Sequence, residues 1–374
     1  MGGNGTNDSA DRLQDELAPY LNPVMSRFLL NVSKAITQDP GLPKTNPTVS
    51  AWQVPEHPIG SIQSPTFPKQ TDFAVIGSGI TGCSVTKTLL EHQAAGNSHV
   101  TILEARTLVS GATGRNGGHL VTASGHTFGP LARQHGVEAA KQITRFSILN
   151  IERLMEMVKE MDQELQEACQ IRDVLKVMAV GDEETWKAAK QSVLDFQQAV
   201  PEHQSYHRII QKDDVPERWN IKDASGAVEH DAGAIWPYRL LTEAKKALST
   251  VLPKFFLEGW GSETTSEIEA IWSGIQGHTA DGLPIVGRIP QPLLETPGDD
   301  EQWMACGFNG YGMDKCWLTG EALVKMMFGE DVSDWFPQAY MVTEERLQKG
   351  LTSDKTLLKF AQIAKPSGVK SEKL

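Results

Sequence analysis

"TDFAVIGSGITGCSVTKTLLEHQAAGNSHVTILEA", residues 71–105, is the stretch that decides the fold of this chain. Its apolar run at 72–76 predicts a strand, the segment at about 80–95 predicts a helix, and the run at 99–103 predicts a second strand. Gly96 and Asn97 mark the turn that leads into the second strand. The order of these elements predicts a β–α–β unit with two parallel strands.

The turn between the first strand and the helix carries the pattern G-x-G-x-x-G, formed by Gly77, Gly79 and Gly82. These glycines permit a tight turn, the approach of a pyrophosphate, and close packing of helix on strand. The helix N-terminus adds free N–H groups and a positive dipole end. Glu104 ends the second strand about twenty residues later, where an acid binds the ribose hydroxyls of an adenine nucleotide. This context predicts a dinucleotide site; a glycine-rich turn without a ligand is the alternative.

A second glycine-rich segment, "SGATGRNGG" at 110–118, follows directly. Glycines and small residues let backbone N–H groups approach the phosphate, sugar and ring nitrogens of a large flat ligand. Arg115 within it is a candidate partner for a phosphate. A nicotinamide enzyme would continue here with another β–α unit, so the loop favours a different dinucleotide. For an isolated stretch, a surface turn would be the simpler interpretation.

The residues from "VIGSGITG" (75–82) through "LEARTLVSGATGRNGGHL" (103–120) resemble the D-amino-acid-oxidase-like family of FAD-dependent oxidoreductases. That family includes sarcosine, glycine and putrescine-derivative oxidases, and the form "SGATGRNGG" is most similar to its fungal members. Two later segments, 272–290 and 302–329, are also similar to the family and there return to close the FAD-binding domain. The likeness covers roughly residues 71–130 and 265–345.

The resemblance implies FAD as the cofactor and a set of residues that bind it, in the glycine turn, at the end of the second strand, in the glycine loop and before the last helix. These residues are Gly77, Gly79, Ile80, Thr81, Gly82, Glu104, Ala105, Gly111, Ala112, Thr113, Arg115, Asn116, Gly117, Gly118, Gly310, Gly312 and Met313.

The segment at 302–329 predicts a buried strand at "QWMACGF", a turn at "NGYG" and an amphipathic helix at "MDKCWLTGEALVKMM". The helix starts beside Gly312 and Met313, so we expect its N-terminus to face the pyrimidine edge of the flavin and to favour the reduced anion. Asp314 supports the helix but opposes an anionic flavin. Similar sarcosine oxidases carry a lysine at that place to hold the substrate carboxylate, whereas here the lysine is Lys315.

Catalysis in the family needs orientation and desolvation more than reactive side chains, because the flavin takes the hydride from the carbon that bears the amine. The candidates to face the substrate are Tyr311, His119, His278 and Asn309. Each has a packed or hydrogen-bonded structural role as its alternative. His119 is also a candidate for covalent flavin attachment, so a covalent and a non-covalent flavin both stay open.

The sequence predicts an α/β protein: a Rossmann-like FAD-binding domain closed by a C-terminal return segment, with a reduced, partly helical substrate region. We expect five segments: a proline-rich extension at 1–70, the FAD-binding domain at 71–130 and 265–345, a helical remnant of the substrate domain at 131–264, and a tail at 346–374. A helix is expected near residues 19–36. Members of the family carry a long insertion near Leu248, most of which this chain lacks.

Composition excludes several other classes. A formal net charge of −12 without a dense basic cluster argues against nucleic acid as a partner. The four cysteines lack C-x-x-C spacing, so we expect no metal site. Zinc-peptidase, α/β-hydrolase and P-loop motifs are absent. No apolar run is long enough for a membrane span and no signal peptide is recognised, which favours the cytoplasm; myristoylation at Gly2 and the peroxisome are the alternatives.

These features predict an FAD-dependent oxidoreductase that oxidises a C–N bond of a small-molecule amine or amino acid, without stable membrane anchoring, in fungal metabolism. The alternative is a catalytically silent or truncated flavoprotein that acts as a binding or accessory protein. The packing of the chain near Leu248 to Pro253 would discriminate between them, because exposed apolar surface there would indicate missing mass or a binding face.

Overall fold

The computed structural model describes residues 31, 41–43, 46–57, 60–61, 64–161, 163–240, 272–294, 301–352 and 355–356. The chain divides into a large unit, Thr45–Gln276 with Tyr311–Ala339, and a small unit, Met1–Lys44 with Gly277–Gly310 and Tyr340–Leu374. The junction at Leu248 to Pro253 and, apart from residue 31, the helix expected near 19–36 lie outside the described residues. Within those ranges no helix is long and apolar enough to cross a membrane.

The large unit begins with the predicted β–α–β motif. Its elements are β1 (Phe73–Ile76), α1 (Ile80–Glu91) and β2 (Val100–Leu103). The strands are parallel, with Phe73 opposite Val100 and Ile76 opposite Leu103, which confirms the predicted pairing. α1 ends one turn earlier than predicted, because a short 3-10 turn over Gln93–Ala95 replaces its last residues.

The middle of the large unit combines helices with an antiparallel sheet. Its elements are β3 (His119–Leu120), α2 (Ser124–His135), α3 (Val137–Lys159), α4 (Gln163–Cys169), β4 (Arg172–Val180), α5 (Glu183–Ala199), β5 (His207–Gln211), α6 (Val215–Trp219) and β6 (Gly226–Ala234). β6 pairs along its whole length with β4, and it also pairs with β5 and with β3. The prediction of a helical region at 131–264 therefore missed three strands, β4 to β6.

Helix α3 supplies much of the core, as its apolar stripe predicted. Phe146, Ile151 and Leu154 are all buried on it. Phe128 of α2 and Phe196 of α5 belong to one cluster with Ile148 of α3. Burying each such side chain contributes about 1.5–3 kcal/mol, so this cluster holds α2, α3 and α5 together.

The helix predicted from "MDKCWLTGEALVKMM" is present as α7 (Cys316–Met327), which begins after a turn at 312–315. α7 packs against α1: the Ser84 hydroxyl donates to the Trp317 carbonyl, and Gly320 lies so close that a Cβ there would stand 2.7 Å from Ser84. This close approach packs α7 directly against the helix of the β–α–β motif.

The small unit contains the strand predicted at "QWMACGF". The strand is β8 (Trp303–Cys306), and it pairs antiparallel with β7 (Ile285–Arg288). Arg346 binds Asp281 Oδ2 at 2.8 Å and the Leu283 carbonyl at 2.9 Å. Burial alone would raise the pKa of Asp281, but the hydrogen bonds that Arg346 and the Leu283 amide donate to it lower the pKa below its ordinary value.

Candidate functional site

The glycine turn at 77–82 has a geometry that requires glycine. Gly77 has φ +101°, in the region that L side chains rarely adopt. A Cβ on Gly82 would collide with the Gly77 carbonyl oxygen. Gly79 stands before α1 in an extended conformation and places no side chain over its end. The turn therefore leaves bare backbone at the N-terminus of α1.

The N-terminus of α1 is shaped as an anion cradle. The first N–H groups of a helix have no carbonyl partner within it, so the amides of Thr81 and Gly82 are left for a ligand. The Ile80 amide instead donates to Thr113 Oγ1 at 3.0 Å. Together with the helix dipole, this arrangement suits a pyrophosphate, and Thr113 joins the glycine loop to it.

Glu104, the predicted ribose ligand, is held in place by Ser78. Its Oε2 accepts hydrogen bonds from the Ser78 hydroxyl and from the Ser78 amide at 3.1 Å, and its Oε1 accepts the Arg106 amide at 3.1 Å. Burial raises the pKa of Glu104, but these hydrogen bonds outweigh it and lower the pKa overall. A carboxylate has about four acceptor positions, so capacity remains for a ribose hydroxyl.

The glycine loop at 110–118 is fixed from within by Asn116. Its Oδ1 accepts the Gly118 amide at 2.7 Å and its Nδ2 donates to the Thr113 carbonyl at 3.0 Å. Gly118 has φ +69°, and a Cβ there would collide with the Ile235 carbonyl. Asn116 and Gly118 thus hold the shape of the loop itself.

Arg115 braces the loop through backbone carbonyls. Its Nε donates to the Ser110 carbonyl at 2.8 Å and its Nη1 to the Ser273 carbonyl at 2.9 Å, while Thr48 accepts a further bond at 3.2 Å. Burial, and then the nearby charge of Arg106, lower its pKa from the ordinary value. The predicted pairing of Arg115 with a phosphate stays a prediction.

The turn before α7 carries a buried charge pair. Asp314 is only 2% exposed, and its Oδ1 lies 2.6 Å from Lys315 Nζ. The same ammonium group donates to the Tyr311 carbonyl at 3.2 Å. Lys315 is therefore already paired in this structure, which weakens the case for it as a ligand of a substrate carboxylate.

The four catalytic candidates fall in both units. His119, on β3, and Tyr311 are exposed and belong to the large unit. His278 and Asn309 belong to the small unit, as does Gly310. Asn309 has φ +54° and its Oδ1 accepts the Thr279 amide at 2.9 Å, so it has a structural role in its turn. Roles in catalysis for all four stay predictions.

A separate group of histidines lies in the antiparallel sheet. His207 and His230 face each other across β5 and β6, and Ser124 Oγ lies 3.0 Å from His207 Nε2. Burial lowers the pKa of His207 to about 2 and also lowers that of His230. Both rings are therefore neutral and structural. In the described part of the chain, no group of His, Cys, Asp and Glu side chains is arranged to hold a metal ion.

Sequence reasoning missed three residues that organise these segments: Ser78, Ser147 and Asn150. Ser78 sits at a variable position of the glycine pattern, which assigns it no role. Ser147 and Asn150 are buried polar residues, three apart within the apolar stripe of α3. Polar residues at helical spacing inside such a stripe were the available signal, since buried polar groups need partners.

The geometry defines a protein class: a nucleotide-binding β–α–β fold whose helix N-terminus, strand-ending acid and glycine loop converge. Residues 72–251 match the family model described as DAO, FAD dependent oxidoreductase. Residues 72–251 are thus similar to the FAD-dependent oxidoreductase domain of the DAO family, whose cofactor is FAD. The cradle fits this group, because side chains at positions 77 and 82 would destroy the turn that exposes the amides.

Three solved enzyme structures are similar to the chain at low identity. L-amino acid deaminase from Proteus myxofaciens is 18% identical over 46% of this chain and 35% of its own, with a TM-score of 0.33. L-proline dehydrogenase from P. horikoshii is 16% identical over 76% of this chain and 100% of its own, with a TM-score of 0.48. Glycine oxidase from Geobacillus kaustophilus is 15% identical over 73% of this chain and 98% of its own, with a TM-score of 0.49.

The chain spans 35% of the length of the Proteus myxofaciens deaminase and 38% of that of an L-amino acid deaminase from Proteus vulgaris. No curated protein matches the chain in sequence.

Replacing Ser78 by Ala is expected to loosen the site. The substitution removes the hydroxyl that binds Glu104 and that accepts the buried Val109 amide at 2.9 Å. We expect a loss of about 1–3 kcal/mol in the free energy of unfolding, together with weaker FAD retention. Urea denaturation and the flavin content of the purified protein measure both. Ser64→Ala, at an exposed serine, is the control, and equal behaviour of the two variants would contradict the role of Ser78.

Proposed function

We propose that the protein is an FAD-dependent oxidoreductase that oxidises a C–N bond of a small-molecule amine or amino acid. The observation that carries the proposal is the convergence of the α1 N-terminus, Glu104 and the glycine loop within a segment that matches the DAO family. A metabolic role in a fungus accords with the "SGATGRNGG" form of the loop.

Each part of the site has a task in that reaction. The amides of Thr81 and Gly82 would hold the pyrophosphate, and Glu104 would hold the ribose. The loop at 111–118 would offer backbone N–H groups to the flavin end, and the turn at Gly312 and Met313 would hold the N-terminus of α7 near it. When bound, FAD supplies the hydride acceptor for the oxidation.

The substrate side of the proposal rests on fewer contacts. Lys315 is paired with Asp314, so this lysine offers little net charge to a substrate carboxylate. Tyr311, which is 48% exposed, and His119 remain candidates to orient the substrate amine. Amines should therefore be tested before amino acids. Both substrate classes belong to the proposal.

The visible absorption spectrum of the purified chain, before and after denaturation, tests the proposal first. A flavin spectrum with release of the cofactor on denaturation supports it and shows a non-covalent flavin; retention by the denatured chain would show covalent attachment. Anaerobic bleaching by a panel of primary and secondary amines and amino acids then identifies the substrate class. Colourless protein that cannot be reconstituted with FAD would refute the proposal.

One observation favours the second candidate function, a silent flavoprotein that serves as a binding or accessory protein. Ile76 of β1 is 87% exposed and Leu90 of α1 is 67% exposed. Leu90 also lines an open cavity of about 340 Å³, together with Cys83 and Ile102. Flavin binding without bleaching by any member of the panel would favour this candidate.

The domain limits and the location belong to the same proposal. We assign 71–130 and 265–345 to the FAD-binding domain and 131–264 to the reduced substrate domain, with 1–70 and 346–374 as extensions. The cytoplasm is the proposed compartment, and imaging of the full chain with a tag at either end tests it against the peroxisome and the membrane.

A further inference from the structure

Asn150 holds the turn before α7 from a different helix. The residue lies on α3 and is fully buried. Its Nδ2 donates to the Met313 carbonyl at 3.0 Å, and its Oδ1 accepts the Leu318 amide at 2.9 Å. One side chain thus binds both the end of the turn and the first turn of the helix.

The helix needs such a partner because its own cap cannot provide one. An N-cap side chain normally accepts the amide of the second or third helical residue. The N-cap of α7 is Lys315, which has no side-chain acceptor and makes no capping bond. Leu318 is the third residue of α7, so Asn150 supplies the missing cap from outside the helix.

Ser147, one turn before Asn150 on α3, adds a second bond to the same turn. Its hydroxyl donates to Asp314 Oδ2, and the other oxygen of Asp314 is paired with Lys315. Residues three apart on a helix share one face, so Ser147 and Asn150 form a single contact surface. Together they hold the Met313 carbonyl and the Asp314 carboxylate, two neighbouring points of the turn.

The turn held in this way also touches the glycine loop. Asn116 Nδ2 lies 3.5 Å from Met313 Sδ, and the same amide group holds the loop through the Thr113 carbonyl. Two segments with predicted FAD contacts, 111–118 and 312–313, therefore meet at this contact. Any shift of the turn before α7 would be transmitted to both.

We propose that Asn150 is a positioning residue for the flavin: it caps α7 from α3 and so fixes the helix N-terminus and Met313 where the cofactor binds. The inference rests on the proposed FAD site. A fixed helix N-terminus presents a positive dipole end, which stabilises the negative charge of reduced flavin. Without the cap, both the FAD affinity and the reduction potential of the bound flavin should fall.

The test compares Asn150→Leu, which keeps a similar volume without polar atoms, with Thr144→Val on the same helix. Thr144 is fully buried, and its hydroxyl has no hydrogen-bond partner. We expect Asn150→Leu to weaken FAD affinity on the order of tenfold, since the buried Leu318 amide and the partly buried Met313 carbonyl lose their partner, and to make the flavin potential more negative. Thr144→Val should match the wild type in both. Titration of FAD-free protein and a dye-linked potential measurement give the two quantities.

Other outcomes would overturn the inference. If Asn150→Leu lowers only the melting temperature of the FAD-free protein, and leaves FAD affinity and potential unchanged, the residue is merely structural. If that variant does not fold, Ser147→Ala decides by the same two readouts, because it removes the neighbouring bond to the turn. A wild-type protein that takes up no FAD overturns the proposed function, whereas a wild-type protein that binds FAD with the same affinity and potential as Asn150→Leu overturns this inference alone.

Discussion

A Gly117→Val protein is expected to fold and to contain no FAD. Gly117 does not occupy the left-handed region, and a Cβ there would meet the His119 ring only at 3.4 Å, an ordinary contact. The backbone at this position therefore accepts a Cβ. The two methyl groups would stand on the loop whose bare backbone is proposed to approach the flavin, and they would keep the ligand away. Far-ultraviolet circular dichroism and the ratio of flavin to protein absorbance measure fold and occupancy.

Two further glycines serve as controls for this result. Gly118→Val should not fold well, because φ is +69° and a Cβ would collide with the Ile235 carbonyl. Gly181→Val should resemble the wild type in both measurements, since nothing lies within 4 Å of a Cβ at that exposed position. A Gly117→Val protein with full flavin content would refute the assignment of the loop to the cofactor.

The β–α–β motif was predictable because its information is local. Apolar runs, a glycine pattern and a turn dipeptide lie within residues 71–105, and each fixes the backbone of its own neighbourhood. The observed limits of β1 and β2 lie within one residue of the predicted strands. The excess length predicted for α1 has a local cause too: His92 accepts the Ala94 amide and starts the 3-10 turn.

The contacts that assemble the site were not predictable in the same way. Thr113 reaches Ile80, Ser78 reaches Glu104, and Asn150 reaches Met313 and Leu318 across long stretches of chain. Such pairs leave no periodicity in the sequence, because only the folded chain brings their members together. Polar residues in an apolar stripe indicate that a partner exists, but they do not identify it.

The antiparallel sheet escaped prediction because polar residues interrupt its strands. β4 contains Arg172, Asp173 and Lys176, and much of its length is exposed. β6 carries Glu229 and His230 side by side, and both are fully buried. A charged residue at a buried strand position breaks the alternation of apolar and polar residues by which a strand is predicted. Its burial can be explained only when the residues that pair with its charge are known. For Glu229 those partners come from β5 and from α6.

The Glu229→Gln substitution is expected to cause the largest loss of stability in the sheet. The Glu229 carboxylate has no exposed side-chain surface, and Arg208, Arg218 and Trp219 all donate to it. An amide keeps the shape but loses the charge and turns one acceptor into a donor that faces the guanidinium groups. We expect a loss of about 2–3 kcal/mol in the free energy of unfolding at neutral pH, measured by urea denaturation.

Asp231→Asn is the matched control, because Asp231 is 73% exposed and binds the same Arg208 in solvent. We expect Asp231→Asn to cost about 0–1 kcal/mol in the free energy of unfolding.

The pH dependence of the free energy of unfolding tests the charge of Glu229 separately. Hydrogen bonds, first from Arg218 and also from Arg208 and Trp219, outweigh burial and lower the pKa of Glu229 from 4.5 to about 2. Its contribution is complete above pH 4.5 and is lost as the pH falls towards 2, so the gap between wild type and Glu229→Gln should narrow over that interval. A gap that stays constant from pH 6 to about pH 3 would show that the charge of Glu229 does not stabilise the sheet.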